Sequence, residues 1–311
     1  MVFLVEAFGY DMQCTNPVRI SKNLDRNLFP DGLLVPCGKC LSCRIAKRSE
    51  WAMRMIHELD SFDCAVFVTL TYDDESLPPN GSLDITHLQK YFKRLRKECS
   101  KSGKRIRYFA CGEYGERFGR PHYHAIIFGL SQQKSDKDLM AVKWPFGRVH
   151  FGSAEPDSIR YVAQYVDKKY SGDMARTEYE EKNRSPVFRV SSLGLGKNYI
   201  EKNREQITNM GYCTVKGVMH SLPRYYLNKL GIDPVLYRTE AKFLAAEEYE
   251  SATGINVDPD IAYRVRPASE YTEYAKKQEA KRKQSDLNKN ARVVVLSVRE
   301  SGAVRGDERA F

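Results

Sequence analysis

The sequence predicts an α+β fold, an antiparallel sheet with helices packed on one side, preceded by a Cys-rich knot and followed by a charged, largely helical extension. Three observations carry this. From residue 64 to 170 the apolar residues follow strand and helix periods in the order strand, helix, strand, strand, helix. Before that, residues 14 to 43 hold four of the eight cysteines of the chain. Beyond Gly231 the apolar signal fades into Ala-, Glu- and Lys-rich segments. The boundaries fall at 1–60 for the N-terminal knot and its basic helix, 61–230 for the sheet core with an insertion, and 231–311 for the extension.

Cys14, Cys37, Cys40 and Cys43 supply four thiols, three of them in a Cys-x2-Cys-x2-Cys run. This spacing suits a structural Zn2+. An iron–sulfur cluster shares the doubled spacing but lacks the following x3-Cys-Pro, and buried free thiols are the plain alternative. Arg44 to Leu59 reads as an amphipathic helix with Trp51, Met55 and Leu59 on its buried stripe. Its Arg44, Lys47, Arg48 and Arg54 face either phosphates or solvent, and His57 reads as an ordinary helix residue. Cys64 to Asp73 is a buried strand and Pro78 to Gly81 a turn. Asp84 to Cys99 is a helix with Leu88, Tyr91, Phe92, Leu95 and Cys99 at core spacing, stopped near Gly103. His87 has no assigned role.

Ile106 to Glu113 and Pro121 to Gly129 are two strands joined by a loop holding two glycines. Period-two alternation puts His122 and His124 on one face, where two imidazoles chelate one ion. If Glu113 pairs opposite His122, then Glu113 and Cys111 share that face, and Glu113 is the natural third ligand. His150 and Gln164 are rival third ligands. Arg120 either holds a phosphate or is a hairpin-loop charge.

Glu155 to Lys169 reads as a helix, with proline in its first turn and acidic residues beside it. Ile159, Val162, Ala163 and Val166 fall on one arc, with Tyr161, Tyr165 and Lys168 nearly opposite. The aliphatic residues already occupy the core face, so the two phenols need another explanation than packing. A phenol is a poor nucleophile near neutral pH, its ordinary pKa being about 10. It becomes useful against a phosphodiester held by a divalent ion, with a cation such as Lys168 close to the developing phenolate.

Further on, Tyr170 to Ser185 reads as a loop or insertion, Pro186 to Gly196 as a strand and glycine-rich turn, Tyr212 to Met219 as a strand, and Leu222 to Leu227 as a turn entering a helix. Gly194 and Gly196 do not form a phosphate loop, because no Gly-Lys-Ser/Thr pattern follows. Tyr237 to Tyr249 and Glu270 to Asn290 are helical, and 300–311 is a tail. Fifty Lys and Arg against forty Asp and Glu leave a net charge of +10, which favours a polyanionic partner. Nineteen Tyr and fourteen Phe suit single-strand binding by stacking. No run is long and apolar enough for a membrane span, and Met1 to Glu6 is too short and lacks the basic start of a secretory signal, which places the protein in a cytoplasm. There the cysteines are thiols or metal ligands.

Phe67-Val68-Thr69-Leu70-Thr71-Tyr72, then Gly119-Arg120-Pro121-His122-Tyr123-His124, then Tyr161-Val162-Ala163-Gln164-Tyr165-Val166-Asp167-Lys168-Lys169, in that order, resemble the three motifs of the His-hydrophobic-His (HUH) endonuclease superfamily. More narrowly, the chain resembles the rolling-circle replication initiators of microviruses of the gokushovirus group. The likeness runs from Cys14 to Tyr226 and includes Pro36-Cys37-Gly38-Lys39-Cys40, Cys111-Gly112-Glu113-Tyr114-Gly115-Glu116 and Leu222-Pro223-Arg224-Tyr225-Tyr226. It implies a ferredoxin-like, RRM-like core with the His strand central. It also implies a metal-dependent nuclease and ligase in which one of Tyr161 and Tyr165 attacks the origin phosphate, forming a 5′-phosphotyrosine intermediate, and the other acts in rejoining. Mg2+ or Mn2+ held by His122, His124 and Glu113 is the implied cofactor, with Lys168 as helper and Arg120, Arg44 and Arg48 as DNA contacts. The implied partners are single-stranded or replicative-form viral origin DNA, a host helicase and a host polymerase, in the bacterial host cytoplasm. One departure is Gln164, where many relatives carry a basic residue. Two other readings stand beside this one: a transposase, plasmid initiator or relaxase of the same superfamily, and a non-catalytic zinc-containing single-strand-binding or packaging protein.

Overall fold

The computed structural model describes residues 14–21, 32–116, 118–165, 175–254 and 256. A two-stranded ribbon, β1 (Val18–Ile20) and β2 (Leu33–Val35), precedes helix α1 (Leu41–Leu59). The core follows as β3 (Ala65–Thr71), α2 (Ile85–Lys101), β4 (Arg107–Tyr114), β5 (Pro121–Phe128), α3 (Lys134–Val142), β6 (Val149–Ser153), α4 (Pro156–Gln164) and β7 (Phe188–Ser191). Helices α5 (Lys197–Lys202) and α6 (Arg204–Met210), hairpin β8 (Tyr212–Val215) and β9 (Val218–Ser221), and helices α7 (Arg224–Leu230) and α8 (Pro234–Thr253) complete the described chain. Contacts divide it into units 1–238 and 239–311. Val166, Lys168, Lys169, the helix expected at Glu270 to Asn290 and the C-terminal tail lie outside the described residues. No described helix is long and apolar enough to cross a membrane.

The sheet is antiparallel throughout, in the order β6-β3-β5-β4-β7, so the His-bearing β5 is its central strand. Alternation along each strand sends Val66, Val68 and Leu70, with Tyr108, Ala110, Tyr123, Ala125 and Ile127, to one face. Helix α2 covers that face with Leu88, Tyr91, Phe92, Leu95 and Cys99, the five residues its periodicity picks out, all fully buried. The Asp84 carboxylate starts α2 by accepting the Thr86 and His87 N–H groups. The opposite face, left bare in the sequence reading, is covered by α1 through Trp51 and Met55 and by α4 through Ile159, Val162 and Ala163, packed on Phe109, Cys111, Ile126 and Phe128.

Two elements differ from expectation. Tyr212 to Met219 is not one strand but a hairpin, turned at Lys216 (φ 50°) and Gly217 (φ 80°), the pair of positive φ values that a two-residue type I′ turn requires. The stretch from Leu130 to Ser153, read without structure of its own, contributes α3 and the edge strand β6.

His57 is not an ordinary helix residue. It is 1% exposed, stacked on Tyr199 at 3.6 Å between ring centroids. Its Nε2 lies 2.9 Å from the Thr214 carbonyl, which only accepts, so Nε2 donates and Nδ1 accepts from the Tyr226 hydroxyl, also at 2.9 Å. Burial lowers the His57 pKa below the ordinary 6.5, against the opposing Thr214 bond and Asp60 charge and with help from His220. The sign follows from linkage: a depressed folded-state value stabilises the fold fully above the unfolded pKa, and that contribution is lost as pH falls through the folded value. Wild type is therefore expected to melt lower at pH 5 than at pH 7.5, and the gap to narrow in His57→Gln. An undiminished gap in that variant would assign the acid sensitivity to other groups.

Candidate metal centre and tyrosine pair

Strand register builds the centre. Glu113 pairs directly with His122 and Cys111 with His124, the register inferred from alternation alone. The Glu113 Oε1 lies 2.8 Å from His122 Nε2 and 3.0 Å from His124 Nε2. One ligand atom from each of the three residues falls within 4.8 Å of the others. Outer partners aim the rings. His122 Nδ1 donates to the Arg120 carbonyl at 3.2 Å, and His124 Nδ1 meets the Thr69 hydroxyl at 3.0 Å.

That geometry tests whether a cation fits. With Nδ1 of His122 donating, a neutral ring turns its Nε2 lone pair toward a carboxylate oxygen, so two acceptors face one another. A positive charge among these atoms, a proton or a metal ion, resolves the clash. The mixed N/O set with buried Glu113 and His124 suits a divalent ion, and nothing in the ligand types selects one metal. His150 is not part of this cluster. It stands on β6 opposite Thr69, with β3 between it and β5, and Gln164 is exposed at the end of α4.

Helix α4 brings both tyrosines to the cluster. Its start is held by the Ser158 hydroxyl, which accepts the Glu155 N–H at 2.8 Å. The Tyr165 ring stacks on His124 at 5.0 Å, the Tyr161 ring meets His124 edge-on at 5.6 Å, and the two phenol rings lie 5.2 Å apart at 89°. The expectation that both rings avoid the interior holds only for Tyr161. Tyr161 is 43% exposed, whereas Tyr165 is 5% exposed and packs with the core residues of this face. The cause is that the far side of α4 is not open there: the imidazole of His124 covers Tyr165. Burial, the Tyr161 hydroxyl and the Glu113 charge all raise the Tyr165 pKa.

The four cysteines of the knot also converge, with their sulfurs within 4.8 Å of one another, and all are free thiols. Backbone N–H groups point at the sulfurs: Cys37 to Cys14 at 3.2 Å, Cys40 to Cys37 at 3.3 Å and Cys43 to Cys40 at 3.5 Å. Burial opposes ionisation of Cys40, yet the Cys43 and Thr15 donors bring its pKa down to about 6. Burial pushes Cys43 up to about 12, beside Cys40 and Cys14. A thiolate next to a thiol that resists ionisation is what a closed tetrahedral site looks like before a cation neutralises it.

The expected DNA contacts fare unequally. Arg120 is engaged within the protein, donating to Asp74 at 2.6 Å and to the Tyr72 carbonyl at 2.9 Å, which makes it a tie between hairpin and β3. Arg44 and Arg48 are half-buried on the first turns of α1, beside the cysteines. Sequence reasoning passed over Arg189, which lies on β7 opposite Cys111 and faces the cluster side of the sheet. The signal was present in the alternation of Phe188, Arg189 and Val190.

A family model for replication-associated proteins of the ORF2 type matches residues 65–170, the stretch from β3 through both tyrosines. The chain is 31% identical over 246 residues to replication-associated protein VP4 of Bdellovibrio phage phiMH2K, covering 69% of this chain and 76% of that protein. It is 31% identical over 215 residues to replication-associated protein ORF2 of Spiroplasma virus 4, covering 62% of this chain and 66% of that protein. It is also 29% identical over 215 residues to replication-associated protein ORF4 of Chlamydia phage 1, of which it spans 53%. No solved structure matches.

Proposed function

This chain belongs to the family of phage replication-associated proteins, and from that premise we propose that it initiates rolling-circle replication by nicking and rejoining single-stranded origin DNA. The observation that carries the reading is the convergence of His122, His124 and Glu113 beneath two tyrosine rings, one of them exposed. Mg2+ or Mn2+ bound by those three side chains would polarise a non-bridging phosphate oxygen. Tyr161, the accessible phenol, attacks the phosphorus; the bond to the 3′ oxygen breaks, that oxygen takes a proton as the phenol loses one, and the 5′ end stays joined to Tyr161. Tyr165 serves the later transfer that releases and recloses the strand, once the ring over His124 turns outward. Lys168, outside the described residues, keeps the helper role that spacing assigns. The cysteine knot holds structural Zn2+ and fixes the start of α1. The free 3′ hydroxyl is extended by a host polymerase behind a host helicase, inside the bacterial host.

The test uses 3′-labelled single-stranded oligonucleotides tiled across the cognate phage genome. A covalent protein–DNA adduct is expected with Mn2+ and none with EDTA. Tyr161→Phe is expected to lose most of the adduct, Tyr165→Phe to keep cleavage but lose strand joining, and the double variant to lose both. An adduct surviving in the double variant sinks the assignment. Tight binding without any adduct transfers the role to a non-catalytic single-strand-binding protein.

A further inference from the structure

Three side chains outside the metal cluster form a graded stack of charge and aromatic rings. The guanidinium of Arg189 lies 4.3 Å from the centroid of the Trp51 ring. That of Arg54 lies 4.2 Å from the same ring and 3.9 Å from the Tyr225 ring. The stack joins β7, α1 and the Leu222–Tyr226 segment, which the nuclease reading leaves without a task.

The two arginines are not equivalent. Arg54 is buried, donates through Nε to the Leu195 carbonyl at 3.1 Å and faces Glu50 at 3.5 Å, so its charge is used within the fold. Arg189 is exposed, and among the described residues no hydrogen bond or ion pair reaches its guanidinium. Burial of its stem and the Arg54 charge both work against its protonated form, with Glu50 partly offsetting them. A cation held flat on an indole, pressed by a second cation and offering five donors, is a site for an anion.

Its position says which anion. One row across the sheet reads Arg189, Cys111, His124 and Thr69, each directly opposite the next, so Arg189 faces the same side as the metal cluster. Two strand spacings, roughly 10 Å, separate its backbone from that of His124. That is within reach of a phosphate adjoining the one at the cluster, on the side away from α4.

We propose that Arg189, seated on Trp51, binds a backbone phosphate of the single-stranded DNA that crosses the metal cluster. The placement of the strand rests on the nuclease reading above; the anion site itself rests on the stack. Arg54 and Tyr225 act as positioning residues, holding the indole that holds Arg189.

The probe is fluorescein-labelled oligo(dT) of about 20 nucleotides, bound in EDTA and followed by anisotropy across a NaCl series, a regime in which each lost single-strand phosphate contact makes the salt slope shallower by about 0.7. Arg189→Gln is expected to bind about tenfold more weakly at low salt with that shallower slope, and Arg189→Lys to keep most of the slope. Lys134→Gln, which removes an exposed cation from α3, a helix packed through Met140 on the opposite face of the sheet, measures what one lost surface charge does by itself. Arg189→Gln losing no more affinity and slope than Lys134→Gln overturns the proposal, as does an Arg189→Lys variant as defective in slope as Arg189→Gln. The two readings fail separately. A wild type that forms the tyrosine adduct while Arg189→Gln binds normally removes the phosphate contact alone. A wild type that forms no adduct while Arg189→Gln shows the shallower slope removes the nuclease and leaves the contact.

Discussion

Replacing Glu113 by Gln is expected to reduce Mn2+-dependent adduct formation by roughly a hundredfold to a thousandfold, while oligo(dT) affinity in EDTA changes by less than about twofold. Glu113 Oε1 is the point where both imidazoles meet, and it carries the negative charge of the cluster. The amide keeps the size but removes the charge, and turning its NH2 toward the Nε2 atoms satisfies the rings with hydrogen bonds instead of a cation. Raising Mn2+ to millimolar levels is expected to recover part of the activity, which separates lost metal affinity from lost folding. His150→Ala and Gln164→Ala serve as the contrast, since neither residue belongs to the cluster. Should either of them weaken Mn2+ dependence as strongly as Glu113→Gln, or should Glu113→Gln behave as wild type, the third ligand has been misassigned.

The Glu113–His122 pairing was legible because the β4–β5 connection is short and each strand alternates cleanly: once one residue of each strand is paired, parity assigns every other side chain to a face. The α2 core residues were legible for the same reason at the helical period. What alternation does not give is the neighbour across a long connection. The pairing of β6 with β3, which removes His150 from the ligand set, and that of β7 with β4, which brings Arg189 to the cluster side, join segments far apart in sequence. Tyr165 shows a different limit. A helical wheel correctly separated it from Ile159 and Val162, but an angle does not reveal that His124 covers the opposite side as well. His57 was opaque because its partners, Tyr226 and Thr214, come from a helix and a hairpin more than 150 positions away.

The largest loss of stability is expected from Glu58→Ala, about 3–5 kcal/mol, or roughly 10 °C in melting temperature. Glu58 is completely buried on α1; its Oε2 accepts the Gly196 N–H at 2.6 Å, and its Oε1 faces Arg107 of β4 at 3.2 Å. Arg107 in turn donates to the Leu193 carbonyl, so Glu58, Arg107 and Arg54 together hold the backbone of residues 193–196, the link from β7 to α5. That link has no slack. Gly196 adopts φ +78°, and a Cβ there would stand 2.3 Å from the Tyr226 hydroxyl. Alanine at 58 strands the Arg107 charge and leaves the Gly196 N–H without an acceptor, two costs that arise in the interior where water offers no substitute. Glu58→Gln retains the acceptor and loses only the charge, so about half the loss is expected. Glu58→Met combined with Arg107→Met removes both ions and is expected to regain much of the stability, because most of the single-variant cost is an unpaired buried charge rather than the worth of the pair. Melting curves of the four proteins decide it: a Glu58→Ala variant within about 2 °C of wild type means the network is not holding the β7–α5 link. Since Arg189 sits on the strand entering that link, loosening it is also expected to weaken oligo(dT) binding, but with the loss tracking temperature, whereas in Arg189→Gln the loss tracks salt and leaves the melting temperature in place.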